Sequence, residues 1–289
     1  MADVTSQLAC GVLSLGGERG VVEAVRSLLG QVPRPEVVVV NSGGGDPGPR
    51  LRSSGIDIPV VNFGHRLLPG AARNVAIEHT SAPFVAFLAA DCLAEPGWAA
   101  GRLRAHGAGA AAVASVLTVE PSAGRSQCAA HLLLHHRRTP DTPPAERLFY
   151  GLSYERSLFD RFGRFREDLR QGEDTDFNER LEAGDVVAWA SDVRTVHRHP
   201  RGPWPLLRDQ YARGGRRALA LAQLAPDRAR RTLLGHGLAN VRQALRQAHR
   251  TTDPTERDLL LRSRPLLAPA ALAYVIGGLV ALPRARRGE

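Results

Sequence analysis

The sequence predicts an α/β protein: an open, mostly parallel sheet flanked by helices, with a helical extension at its C-terminal end. Three observations predict it. Short runs that are apolar throughout, such as LACGVLSL and EVVVV, recur along the first two hundred residues. Segments with helical spacing lie between them, as in a parallel sheet covered on both faces. From residue 206 onward the pattern is helical and Arg-rich.

The elements follow in order. LACGVLSL is a strand that ends in the loop GGERG. Val21, Val22, Val25, Leu28 and Leu29 form one helical stripe, which Gly30 closes. PEVVVVNSGGGD is a β-branched strand stopping at a Gly-rich loop, and IPVVNF is a short third strand. GAARNVAIEHT reads as a helix and APFVAFLAAD as another buried strand, and GAGAAAVASVLTVEP adds a further strand. AAHLLLHHRRTPDTPPAE reads as a helix and a Pro-rich loop, and FYGLSYERSLFDRFGRFREDL as a short strand, a helix and a turn. GEDTDFNERLEAGD reads as a helix with Phe177 and Leu181 one turn apart and Gly184 as its stop, and VVAWASDVRTVHRHP as a strand pair.

The chain has 289 residues and 43% hydrophobic content, enough for one large domain with an appendage. The boundary is expected at 205/206: an α/β domain over 1–205 and an Arg-rich helical extension over 206–289. The net charge of +9 is unevenly placed. Residues 1–200 hold 21 Arg against 23 acids, whereas 201–289 hold 17 Arg against 6. Such a basic third meets anionic surfaces. No nucleic-acid recognition motif accompanies it, so nucleic acid is not expected as a partner. Cys10, Cys92 and Cys128 are scattered and in no metal-binding spacing, which points to reduced thiols inside a cell. MADVTSQLACGVLSL has no basic n-region, and no signal peptide is expected.

In open α/β sheets ligands collect at the carboxyl ends of the strands. Asn41-Ser42-Gly43 and Asp91 fall at such ends. Asp91 stands where an apolar strand stops, as a ligand or as the cap of a turn. Asn41 and Ser42 either hydrogen-bond a ligand or shape a tight turn, and neither nearby Gly loop carries G-x-G-x-x-G. Arg73 and Asn74 follow Gly70 at a helix start, where Arg pairs with phosphate or simply lies exposed. Asp176, with Glu179 three residues on, resembles a capping box. His197 and His199 are two apart on an apparent strand and should share a face. Trp98 reads as packing, and Tyr154 and Trp189 as core.

These pieces, in this order over residues 8 to 215, resemble a family 2 glycosyltransferase. VVVVNSGGGD is similar to the family's VVVVDDGSTD loop, GAARNVAIEHTSAPFVAFLAAD to its ARN-to-DxD stretch, EPGW to its continuation, GEDTDF to its ED motif and VRTVHRHP to the histidine strand that follows. The resemblance implies the GT-A fold, a Rossmann-like sheet, and inverting transfer from a nucleotide-diphospho-sugar to a hydroxyl acceptor, a glycan or a lipid-linked alcohol. It implies a divalent cation, Mg²⁺ or Mn²⁺, held by Asp91 and by His197 or His199. Asp174 would be the general base, Glu173 its neighbour binding the acceptor, and Asn41, Ser42, Gly43, Arg73 and Asn74 the donor contacts. Two departures stand out. The DxD is reduced to Ala89-Ala90-Asp91, and the acids of the DDGS loop are Asn41 and Ser42. A degenerate GT-A domain that binds nucleotide or scaffolds a membrane complex, or a GT-A-like nucleotidyltransferase, are the competing readings.

Residues 265–283 contain no charge, and as a helix they span about 28 Å at ~1.5 Å per residue. Arg262 and Arg264 precede the run, and Arg284, Arg286 and Arg287 follow it. A helix packed on the domain, one lying in an interface and a true span all fit. Leu234, Leu238, Val241 and Leu245 share a face of an Arg-rich helix that suits an anionic membrane surface. The expected location is the cytoplasmic side of the cell membrane, in envelope glycan synthesis.

Overall fold

The computed structural model describes residues 6–17, 19–224 and 227–285. The chain forms two compact units. The first comprises residues 1–118 and 147–197, and the second 119–146 and 198–289.

The first unit holds one eight-stranded sheet in the order β3-β2-β1-β4-β7-β6-β8-β5. Its strands are β1 (Leu8–Leu15), β2 (Glu36–Ser42), β3 (Val60–Asn62), β4 (Phe84–Ala89), β5 (Cys92–Ala94), β6 (Ala112–Thr118), β7 (Leu152–Glu155) and β8 (Val187–His197). β1 is parallel to β2 and β4, β2 to β3, and β6 to β8. β7 runs antiparallel to both β4 and β6, and β5 antiparallel to β8. The sheet is therefore mixed, and its parallel half carries the first four strands of the chain's α/β alternation.

The apolar runs are buried on both faces for the reason their composition implies. Alternate side chains of β1 leave the sheet on opposite sides. Leu8, Cys10 and Val12 join Val37, Val39, Ala86 and Leu88 under helices α1 (Val21–Leu29) and α4 (Trp98–Gly107). Ala9, Val38, Val40, Val85 and Phe87 join Ala76 and Ile77 of α3 (Pro69–Glu78), Leu158 and Phe159 of α6 (Ser157–Phe162) and Phe177 of α7 (Glu173–Asn178). Gly70 opens this second layer. A Cβ there would overlap the Arg166 carbonyl oxygen, so only glycine lets α3 approach the loop after α6.

Five elements depart from the sequence reading. α2 (Gly48–Ser53), β5 and α4 are additional. α7 stops at Asn178, well before Gly184. Gly172 precedes it, so Asp176 lies inside the helix and pairs with Arg180 at 2.9 Å instead of capping the N-terminus. VAWASDVRTVH is one strand, β8, not a pair. Its register against β6 slips after Ser115, which pairs with Ala190 whereas Val116 pairs with Arg194. Ser191, Asp192 and Val193 lie between these partners and build a bulge that lets β8 continue in one direction.

The second unit contains α5 (Arg125–His135), α8 (Pro203–Leu224), α9 (Ala229–Arg250), α10 (Pro254–Leu261) and α11 (Arg264–Ala285). Cys128, Leu132 and Leu133 of α5 share a core with Ala244, Ala248, Leu260 and Leu267. This is why residues 119–146 group with the C-terminal helices although the chain leaves and re-enters the first unit around them. The division thus differs from one cut at 205/206. No disulfide links the three cysteines, all of which are buried. Burial pushes the Cys10 thiol up to about 12 and the Cys128 thiol to about 11.

One buried histidine makes the first unit acid-sensitive. His106 Nδ1 donates to the Ala110 carbonyl at 2.7 Å, Nε2 accepts from the Ser153 hydroxyl at 2.9 Å, and the ring stacks on Phe84. Burial, helped by the nearby Arg102 charge, drives its pKa down from 6.5 to about 4. The unfolded chain takes up the proton first as pH falls. Stability is then complete above about pH 6.5 and drains away toward pH 4, by roughly 3 kcal/mol in all. His106→Gln should flatten that slope in urea melts at neutral and acidic pH. An unchanged slope in the variant would contradict this assignment.

Candidate active site

The carboxyl ends of β1, β2 and β4 surround a cleft of about 360 Å³ in the first unit. Its wall includes Ser14, Ser42, Arg66, Arg73, Asp91 and Glu173. The parallel strands thus converge where open α/β sheets hold ligands.

Asp91 occupies the turn between β4 and β5, which the backbone bond from Ala90 N–H to the Leu13 carbonyl ties to β1. A Cβ at Gly20 would come within 2.5 Å of the Ala90 carbonyl oxygen, so glycine lets the first loop close over this turn. The Asp91 side chain is 49% exposed, and its Oδ2 lies 3.8 Å from His197 Nε2. β5 and β8 pair Cys92 with His197, which brings the imidazole beside the turn. Ligand atoms of Asp91, Cys92 and His197 lie within 4.8 Å of one another. A carboxylate oxygen and an imidazole nitrogen converging at a cleft fit a divalent cation. Trp98 buttresses the same region, fully buried, with its indole N–H on Thr195 Oγ1 at 2.9 Å.

Arg73 projects from α3 between the rings of Phe87 and Phe165, with its guanidinium carbon 5.5 and 5.3 Å from their centroids. Its Nη1 pairs with Glu173 Oε1 at 2.7 Å, and its Nη2 lies 3.6 Å from Asp174 Oδ2. Both acids are nearly buried at the start of α7. Two backbone N–H groups orient the Asp174 carboxylate: Gly151 donates to Oδ2 at 3.2 Å and Thr175 to Oδ1 at 2.9 Å. A carboxylate offers about four acceptor positions. These bonds fix Asp174 without using all of them.

The structure redistributes the other sequence-predicted residues. Asn41 is fully buried and faces protein on all sides. Its Oδ1 accepts from Gly17 N–H, and its Nδ2 donates toward the Gly44 and Gly45 carbonyls and Asn62 Oδ1. It knits the two Gly-rich loops together and has no side-chain atom left for a donor. Gly43 has φ +79° and donates its N–H to the His65 carbonyl, so it shapes the same loop. Asn74 turns away from the cleft. Its amide clamps Phe165 through the backbone N–H and carbonyl and reaches Glu167 Oε1 at 2.8 Å. It positions the loop that stacks on Arg73. Ser42 remains on the cleft wall. β8 ends at His197, so the strand alternation that would align His199 with it does not apply. His199 is buried in the second unit, with the rings of His131 and His135 at 6.2 and 5.5 Å. Tyr154 is core, its hydroxyl on Asn178 at 2.9 Å, and burial pushes its pKa up. Trp189 is partly buried against Phe149 and Arg147. Arg66 is a cleft cation that sequence reasoning missed. It stands in an irregular stretch, where no spacing marks it.

Residues 16–164 match the family described as Glycosyl transferase family 2, just over half of the chain. No curated protein matches it. Among solved structures, it is similar to a mannosyltransferase, PcManGT, from Pyrobaculum calidifontis, in complex with GDP-Man and Mn²⁺. The two are 20% identical with a TM-score of 0.53, over 96% of this chain and 76% of that one. It is also similar to residues 1–349 of S. aureus TarS in complex with UDP, at 16% identity and a TM-score of 0.51, over 97% and 92% of the two chains. At these identities the likeness speaks for the fold.

Proposed function

The chain belongs to glycosyl transferase family 2, and from that premise we propose that this glycosyltransferase takes a sugar from a nucleotide-diphospho-sugar and moves it, with inversion, to a hydroxyl of a glycan or lipid-linked acceptor. The observation that carries the proposal is the convergence on one cleft of Asp91, Arg73 and Glu173, from three separate stretches of sequence, with Asp174 next to Glu173 and 3.6 Å from Arg73 Nη2. The solved relative that binds GDP-Man with Mn²⁺ supports a nucleotide-sugar donor and a divalent cation.

Each group has a chemical task in this reading. Asp91 and His197 would hold the Mg²⁺ or Mn²⁺. Such an ion, when bound, stabilises the negative charge that builds on a diphosphate leaving group. One carboxylate suffices, because hard cations of this kind take most of their remaining ligands from water and phosphate. Loss of the first DxD acid to Ala89 therefore leaves the site workable. Ser42 and Arg66 line the wall against which a polar, anionic donor would lie. Asp174, oriented by two N–H donors, accepts the proton of the acceptor hydroxyl as that oxygen attacks the anomeric carbon. Arg73 holds Glu173 at 2.7 Å and keeps two adjacent acids compatible with near-burial. Glu173, on the cleft wall, hydrogen-bonds the acceptor. The same reading places the chain at the inner face of a cell membrane.

The test is a panel of UDP-, GDP- and dTDP-sugars with Mg²⁺ or Mn²⁺, read as nucleoside diphosphate released. One donor should be consumed in a metal-dependent way and lose its turnover to chelator. Release of pyrophosphate from a nucleoside triphosphate would favour a nucleotidyltransferase. Metal-dependent binding of UDP or GDP with no turnover of any donor would favour a degenerate binding domain.

A further inference from the structure

α11 supplies the one helix among the described residues that is long and apolar enough to cross a membrane, over Arg264–Pro283. Its surroundings within the second unit show how that surface is used. One side packs on α8 at backbone distance. A Cβ on Gly214 would overlap the Tyr274 carbonyl, and one on Gly277 the Tyr211 carbonyl. Gly237 of α9 seats Val275, and Gly278 seats against Leu233. The opposite side is open. Leu272, Ile276 and Val280, spaced i, i+4 and i+8, are 59%, 45% and 44% exposed. Pro265, Ala268, Pro269 and Pro283 are exposed along the same helix. The helix thus shows solvent a strip with no polar side chain. The neighbouring helices add exposed apolar groups of their own: Trp204 and Leu219 on α8, Leu234 and Leu238 on α9.

We infer that this strip lies in the plane of an anionic bilayer, with α11 resting in the interface and not spanning it. Two observations choose the occupant. Residues 201–289 hold 17 Arg against 6 acids. Arg208, Arg217, Arg231, Arg242 and Arg264 are exposed on these helices. Apolar side chains fringed by Arg are the signature of interfacial helices on anionic lipid. The glycine contacts exclude a span. If α11 crossed the bilayer, α8 would be drawn in with it at Gly214. Asp209, Arg213 and Arg217 sit within five residues of that glycine, and such side chains are among the costliest in hydrocarbon. Leu234 and Leu238 are exposed, while Val241 and Leu245 pack against the core of the unit, so α9 contributes only its first half.

The inference deepens the membrane placement proposed above and is independent of donor and metal chemistry. The test is flotation of the full chain with phosphatidylcholine vesicles and with vesicles that also carry phosphatidylglycerol. Binding should be at least about tenfold stronger to the anionic vesicles, fall in ~1 M salt, and be reversed by alkaline carbonate. The triple variant Leu272→Gln, Ile276→Gln, Val280→Gln changes exposed groups only. It should keep its circular dichroism melt and any donor turnover in solution, yet lose roughly tenfold or more in vesicle binding. Resistance of the wild type to carbonate would overturn the in-plane arrangement. No preference for anionic vesicles, or a dimer that the triple variant dissolves without any change in vesicle binding, would overturn the lipid assignment. Loss of vesicle binding with donor turnover intact separates this surface from the reaction.

Discussion

Replacing Asp174 by Asn is expected to lower sugar transfer by about 10²–10⁴-fold, the range that a positioned general base contributes. The loss should fall on kcat, because the base acts as the acceptor oxygen attacks. Asn keeps one oxygen for the Thr175 N–H and sets its amide against the Gly151 N–H, which Asp174 now accepts at 3.2 Å. A stability loss of about 1 kcal/mol is the expected side effect, too small to unfold the unit. Glu173→Gln removes the ion pair to Arg73 at 2.7 Å. It should raise the acceptor KM more than it lowers kcat. The two variants together decide which carboxylate takes the proton. A dead Glu173→Gln beside an active Asp174→Asn would move the base to Glu173, which lines the cleft directly.

Asp91→Ala is expected to remove metal-dependent binding of the donor and to lower transfer by ~10²-fold or more, in line with the several kcal/mol that a Lewis-acid cation supplies. The side chain is half exposed and stands in a turn, so the thermal midpoint should stay close to wild type. His197→Ala should weaken Mn²⁺ binding in the same titration with a smaller effect on turnover. Retention of tight, metal-dependent nucleotide binding in Asp91→Ala would remove this carboxylate from the ligand set.

Much of this site is legible in sequence because its positions are strand ends. The apolar run before Asp91 stops where β4 stops, and the carboxylate has nowhere to be but the rim. Asn41 and Asn74 were harder to read for a common reason. An Asn beside glycines or at a helix start has the same appearance whether its amide meets a ligand or the backbone of a distant loop. Here both amides are consumed by loops, Asn41 by residues 17, 44 and 45 and Asn74 by Phe165. The Asn74 bonds to Phe165 span 91 positions and leave no local pattern. The same holds for α5. Its apolar face finds its partners in Leu206 and, more than a hundred residues later, in Ala244, Ala248, Leu260 and Leu267, so a linear boundary could not assign residues 119–146 to the unit in which they fold. β5 is only three residues long and, among the described residues, pairs with the far end of β8 alone, which hides it from any periodicity. The α11 strip was legible as uncharged, but its in-plane use depends on Gly214 and Gly277, whose close approach is visible only in three dimensions.

The central claim is that the cleft at the ends of β1, β2 and β4 is where nucleotide and cation meet. The direct measurement is a crystal structure of the protein with Mn²⁺ and a nucleoside diphosphate, read by anomalous scattering at the manganese edge. The account predicts an anomalous peak within about 2.5 Å of an Asp91 oxygen, with the diphosphate beside it and the nucleoside against the wall that holds Ser42. Manganese bound away from Asp91, or nucleotide density outside this cleft, would contradict it.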